Sequence, residues 1–153
     1  MEKTRSTSGR RVWLSAYAPV VIWIGVIFLL SSPEGSSVQT SRFIRPIIEF
    51  FFPNASPETF ETVHFIIRKS AHLTEYGILA FLAIRAYLFA GWARKSFVMA
   101  LFVVLTVASL DEFNQSFEPS RTSAVSDVFL DLSGGAVVAL IVFLFGRIRG
   151  KRI

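Results

Sequence analysis

Cysteine is absent from this sequence, which excludes disulfides, thiolate metal sites and cysteine nucleophiles. Histidine is scarce, with two copies, so a zinc site assembled from imidazoles and thiolates has too few ligands. No P-loop, dinucleotide fingerprint, nucleophile elbow or H-E-x-x-H run occurs, and the soluble enzyme classes marked by those motifs gain no support. Apolar residues, by contrast, are abundant. The 153 residues are 52% hydrophobic with sixteen Phe and three Trp, and the mean hydropathy of +0.53 lies beyond the range of soluble domains. That composition describes one membrane-embedded domain.

The net charge is +5. Its basic residues gather beside apolar runs, where they act as topology determinants, so nucleic acid is not an expected partner. Four segments approach the roughly 20 helical residues needed to cross hydrocarbon. They are 12–30, 73–90, 96–113 and 125–145. The first is too long for a signal-peptide core and no A-x-A site follows it, so it reads as an uncleaved span. Ser56, Pro57, Glu58 and Glu61 form a helix start ahead of the second span. A helix running from there to Ala90 is longer than the membrane core, with Gly77 its expected weak point. Between the first two spans, SRFIRPIIEFFF carries Phe43, Ile44, Ile47, Ile48 and Phe51 at helical spacing, the pattern of an interfacial or re-entrant helix.

Basic residues Lys3, Arg5, Arg10, Arg11, Arg94, Lys95, Arg147, Arg149, Lys151 and Arg152 fall at alternate span ends. By the positive-inside rule that face is cytoplasmic, which puts both termini inside. Glu2 is the one acid there, and the other carboxylates lie toward the opposite face. The expected architecture is therefore all-α and multi-pass in the cell membrane. It comprises a cytoplasmic tail over 1–11, a four-helix transmembrane domain over 12–146 and a basic tail over 147–153. Trp13 and Trp92 suit interfacial anchors, Arg85 can snorkel to the cytoplasmic face, and His64 reads as an ordinary interfacial histidine.

The outward ends of three spans carry the charge. Lys69, His72 and Tyr76 lie close to one stripe of the second span, with Glu75 one turn below His72. The third span ends in Asp111, Glu112 and Gln115. The fourth begins with Asp127 and Asp131, whose stripe continues as Gly135 and Ala139, a small-residue track suited to close packing. Carboxylates in hydrocarbon must be hydrated, paired or neutralised, so these groups face the bundle interior or a water-filled cavity. Lys69, His72 and Glu75 fit a cation, an acid/base imidazole and its orienting carboxylate, or equally a polar network that fixes helix order. Asp111, Glu112, Asp127 and Asp131 are candidate ligands for a hard divalent cation such as Mg²⁺ or Ca²⁺, or else partners for Arg and Lys. Arg121 can hold a phosphate or carboxylate in its fork, or clamp its own loop to Asp111 or Asp127.

The segments RKSAHLTEYGIL and DEFNQSFEPSRTSAVSDVFLDLSGG, with SSPEG after the first span, resemble the signatures of the VanZ-like family. The likeness runs from Val12 to about Phe145. Its motif positions are occupied here by Lys69, His72, Glu75, Asp111, Glu112, Gln115, Arg121, Asp127 and Asp131, with Gly134 or Gly135 at the small-residue end. Asn114 stands where histidine is common and Ser120 where glycine is common, and the first departure weakens any role needing a second histidine. The resemblance implies a polytopic envelope protein, and a founding relative linked to resistance against teicoplanin, a lipid-bearing glycopeptide. The expected function is recognition of a membrane lipid, a lipid-linked envelope molecule or a lipoglycopeptide at an outer-leaflet pocket. Lys69, His72, Arg121, Asp111, Glu112, Gln115 and Asp131 form that binding set. The alternatives are an intramembrane enzyme using His72, Glu75 and Asp127 on a lipid-linked substrate, and a structural polar network.

Overall fold

The computed structural model describes residues 3–32, 37–54, 56–93, 95–117 and 124–148. Within them the chain forms five α-helices: α1 (Lys3–Leu30), α2 (Ser37–Phe51), α3 (Pro57–Phe89), α4 (Ser96–Gln115) and α5 (Val125–Ile148). Pro33 and Glu34, Arg94, the loop carrying Glu118, Ser120 and Arg121, and Arg149, Lys151 and Arg152 lie outside the described residues.

The apolar run 12–30 forms the Trp13–Leu30 part of a helix that begins at Lys3; no proline interrupts the polar segment ahead of it, and hydropathy finds only the part that needs lipid. One expectation changes. Among the described residues, three helices rather than four are long and apolar enough to cross a membrane: the Trp13–Leu30 part of α1, α4 and α5. The apolar stretch of α3 is interrupted by Glu75 and Arg85, which lowers its hydropathy although its length is ample. Arg85 lays its guanidinium over Phe89, 5.3 Å from the ring centroid, toward the end of the helix.

The start of α3 follows from its sequence. Ser56 has extended φ/ψ of −65° and 158° and its hydroxyl accepts from the Thr59 N–H at 3.2 Å, with Pro57 at the first helical position. The helix then runs unbroken through Gly77, so that residue is no weak point. It is a packing position.

α3 is the axis of the molecule and packs against each of the other four helices. Its closest neighbour is α5, and glycines set that approach. A Cβ added at Gly134 would lie 2.3 Å from the Leu73 carbonyl oxygen, and one at Gly77 would lie 2.9 Å from a Val138 methyl. Below this contact Tyr76, Leu79, Ala80, Val104 and Ala108 fill a fully buried core with Ile27 of α1. At the far end aromatic rings join the helices: Trp13 stacks on Tyr17 at 4.8 Å, Tyr17 meets Tyr87 edge-on at 6.2 Å, and Tyr87 stacks on Trp92 at 6.0 Å. Trp13 and Trp92 remain exposed, as interfacial anchors do. The outer faces are apolar too, with Val21, Ile22, Val98, Phe102, Val137 and Leu140 exposed, a surface that water does not favour and lipid does.

Gly134→Leu should lower the melting temperature of the detergent-solubilised protein by several degrees, since backbone must move and overpacking costs about 1–3 kcal/mol. Gly25→Ala, at a position with nothing within 4 Å of the added atom, should leave it unchanged or raise it slightly. Equal effects at the two glycines would show that the α3–α5 contact does not set stability.

Candidate functional site

The helix directions bring the end of α1, the middle of α3, the end of α4 and the start of α5 to one end of the bundle. Residues Lys69, His72, Asp111, Glu112, Gln115, Asp127 and Asp131 meet there, as the motifs imply. Lys69 Nζ donates to Asp127 Oδ1 at 2.5 Å in a partly buried pair. One turn deeper His72 Nδ1 stands 3.4 Å from Asp131 Oδ1. The carboxylate facing this imidazole nitrogen is Asp131 of α5, a partner that spacing along one helix does not report. The backbone carbonyl of Glu75 accepts from Trp23 Nε1 of α1 at 2.9 Å.

Asp111 sits at the centre with 0% exposure. Its Oδ2 accepts from Ser31 Oγ at 2.8 Å, Gln115 Nε2 at 2.9 Å and Tyr76 Oη at 3.3 Å. Three elements of chain, the end of α1, α3 and α4 itself, therefore converge on one carboxylate. Glu112 turns the other way, its Oε2 accepting the Ala124 N–H at 2.9 Å just before α5, which ties α4 to the start of its neighbour. Charge-assisted bonds of this kind are the stronger ones.

Not every polar atom is matched. Among the described residues His72 Nδ1, Asp111 Oδ1, Glu112 Oε1 and both Asp131 oxygens are buried without a hydrogen-bond partner. Native folds rarely tolerate that, and each such group asks for a water, a proton or a ligand. As for a metal, no three His, Asp or Glu groups among the described residues gather closely enough to hold one. Asp111, Glu112, Asp127 and Asp131 share an end of the bundle but are drawn to different partners. Arg121 lies outside the described residues.

A cavity of about 200 Å³ opens beside these pairs. α3 lines it with Glu61, His64, Phe65, Arg68, Lys69 and His72, α4 with Gln115 and α5 with Asp127. His64 is buried, at 5% exposure, and its ring stacks on Phe60 at 6.0 Å. Burial and the Arg68 guanidinium hold its imidazole below the ordinary range, against a smaller upward pull from Glu61. Glu61, His64, Arg68 and His72 recur at three- and four-residue steps, a stripe the sequence displayed and motif reading passed over. Ser31 had no such signal, being 80 positions from the carboxylate it meets. A second cavity of about 540 Å³ lies between α2 and α3 and shares Glu61 with the first.

An all-helical bundle with apolar outer faces and a buried polar cluster at one end is a helical membrane protein. The chain belongs to the VanZ/LLP1 family, whose family model matches residues 16–146. No curated protein and no solved structure matches it.

A double-mutant cycle on Lys69→Ala and Asp127→Ala should give a coupling of about 0.5–3 kcal/mol in unfolding free energy, because the pair is partly shielded from solvent. Coupling near zero would mark it as a screened surface contact.

Proposed function

We propose that this protein recognises an amphipathic, lipid-like molecule at the outer leaflet of the cell membrane, its polar head entering the small cavity and its apolar part lying along the helices outside. The observation that carries this reading is the pairing of a cavity rich in cationic and imidazole groups, Arg68, Lys69, His64 and His72, with exposed apolar side chains on the same end of the bundle. Phe65, Ile66, Phe113 and Phe129 are all exposed there. A soluble ligand has no use for that flank, whereas an acyl or prenyl chain does. A membrane lipid, a lipid-linked envelope precursor and a lipoglycopeptide such as teicoplanin all combine the two parts, and family membership makes a link to glycopeptide resistance part of the proposal.

In this reading α3 is the fourth span. Its Glu75 lies within the bundle and Arg85 snorkels, so neither charge needs to face lipid. Both termini are then cytoplasmic, and α2 rests in the outer interface with Ile47, Phe50 and Phe51 exposed. The cysteine-free chain suits a direct check. Asn54→Cys should react with a membrane-impermeant maleimide on intact cells, and Ala93→Cys only after permeabilisation. Labelling of both from the same side would remove α3 from the spans and reverse this part of the proposal.

A second reading, a structural polar network, is favoured by the closure of Lys69 onto Asp127. Native mass spectrometry of the detergent-purified protein separates the two. Wild type should carry a lipid through purification, and His72→Ala and Arg121→Ala should each weaken its retention while melting close to wild type. A wild-type protein that carries nothing, or variants that differ only by unfolding, would leave the network reading standing.

A further inference from the structure

Of the charges that line the cavity, most are already spoken for. Lys69 is held by Asp127 and His72 stands against Asp131. Across the second cavity Arg45 is bound to Glu49 at 3.1 Å and covers Phe60. Arg68 differs from these: it lines the cavity, it is half-buried, and no carboxylate among the described residues pairs with it. Its guanidinium presents a planar fork of donors suited to an oxyanion.

We infer that Arg68 is the residue that takes the ligand's anionic group, and that this group is a phosphate ester. This rests on the amphipath reading above and deepens it. The donors arrive from three successive turns of α3. His64, Arg68 and His72 are spaced four residues apart, about 6 Å per step along the axis. A carboxylate offers its oxygens in one plane and satisfies a single fork. A phosphate offers oxygens in tetrahedral directions and can be met by Arg68 and by an imidazole above or below it at once. Burial and, after it, the Arg68 guanidinium disfavour the charged form of the His64 imidazole; an anion between the two side chains offsets their repulsion. Glu61 sits on the exposed rim shared with the second cavity and bounds the site without filling it. Size points the same way. About 200 Å³ is below the roughly 300–1,000 Å³ of sites that enclose whole small molecules, so the cavity holds a headgroup and leaves the rest of the molecule outside.

The Lys69–Asp127 and His72–Asp131 pairs then act as a wall that fixes the cavity's shape, with Arg68 as its binding charge. That division makes a sharp prediction, because Arg68 and Lys69 are adjacent in sequence and equal in charge.

The test uses the full-length protein in detergent. Native mass spectrometry reads retention of added phosphatidylglycerol against oleate, an amphipath whose anionic group is a carboxylate, and calorimetry reads binding of inorganic phosphate. The variants are Arg68→Gln, Arg68→Lys and Lys69→Gln, each with its melting temperature. Wild type should prefer phosphatidylglycerol. Arg68→Gln should lose about tenfold or more of that retention. Arg68→Lys, which keeps the stem and charge but not the fork, should melt like wild type and fall between; Lys69→Gln should lose stability more than selectivity. Wild-type retention of phosphatidylglycerol by both folded Arg68 variants overturns this inference and leaves the amphipath reading in place. A wild-type protein that binds neither lipid nor phosphate overturns both. Arg68-dependent binding of inorganic phosphate with no retained lipid supports the anion site, assigns it to a soluble phosphate and ends the amphipath reading.

Discussion

The contact on which the rest of this structure depends is the approach of α5 to α3 at Gly134 and Leu73. A helix normally keeps a neighbour at 8–10 Å between axes, a distance set by side chains. Removing the side chain at Gly134, and again at Gly77 opposite Val138, lets backbone meet backbone. Lipid supplies no hydrophobic drive between helices, so such dispersion contacts carry the association. The two helices run in the same direction, because the pairs Lys69–Asp127, His72–Asp131 and Gly77–Val138 advance together along both. Gly134 lies less than one turn beyond Asp131, and Leu73 follows His72 directly. Wherever the glycine seats, the histidine and the aspartate must face each other.

That register forces charges into the interior, and the bundle answers with shared partners. Asp111 draws donors from α1, α3 and its own helix. An unmatched carboxylate in such a place costs several kcal/mol, so Ser31, Tyr76 and Gln115 each stabilise the same atom of the same side chain. The remaining buried oxygens of Asp131 and Glu112 are what keeps the cluster from being complete as a structural device. A network with no role beyond packing is expected to be fully satisfied or replaced by apolar residues.

Much of this was legible in the sequence. Long apolar runs located α1, α4 and α5, and Ser56–Pro57 marked the start of α3 to the residue. The i, i+4 acids on α5 and the polar stripe on α3 announced which ends would meet. What was not legible has a common physical origin. Period and capping describe a residue's own helix, whereas the identity of a partner is decided between helices. Glu75 was the nearest carboxylate to His72 along the chain, and Asp131 is the one that faces its Nδ1. Ser31 closes onto Asp111 from a helix end with no pattern around it. The polar start of α1 left no trace because hydropathy records the need for lipid, not the continuity of a helix.

The placement of α1 completes the reasoning. Its apolar face packs Ile27 into the core, its Ser31 reaches Asp111, and Trp23 holds the Glu75 carbonyl. It thereby covers the inner side of the carboxylate cluster, while the side bounded by Arg68, His64 and His72 stays open as the cavity. One wall is sealed with neutral donors, and the other is edged by the Arg68 guanidinium and two imidazoles. Electrostatic attraction then has a direction: Asp127, partly exposed at the cavity, holds Lys69, the buried Asp131 faces the His72 imidazole, and those groups define the mouth at which an anion meets a preorganised positive charge in low-dielectric surroundings. The acids at the centre of the bundle need not touch a ligand to determine its sign.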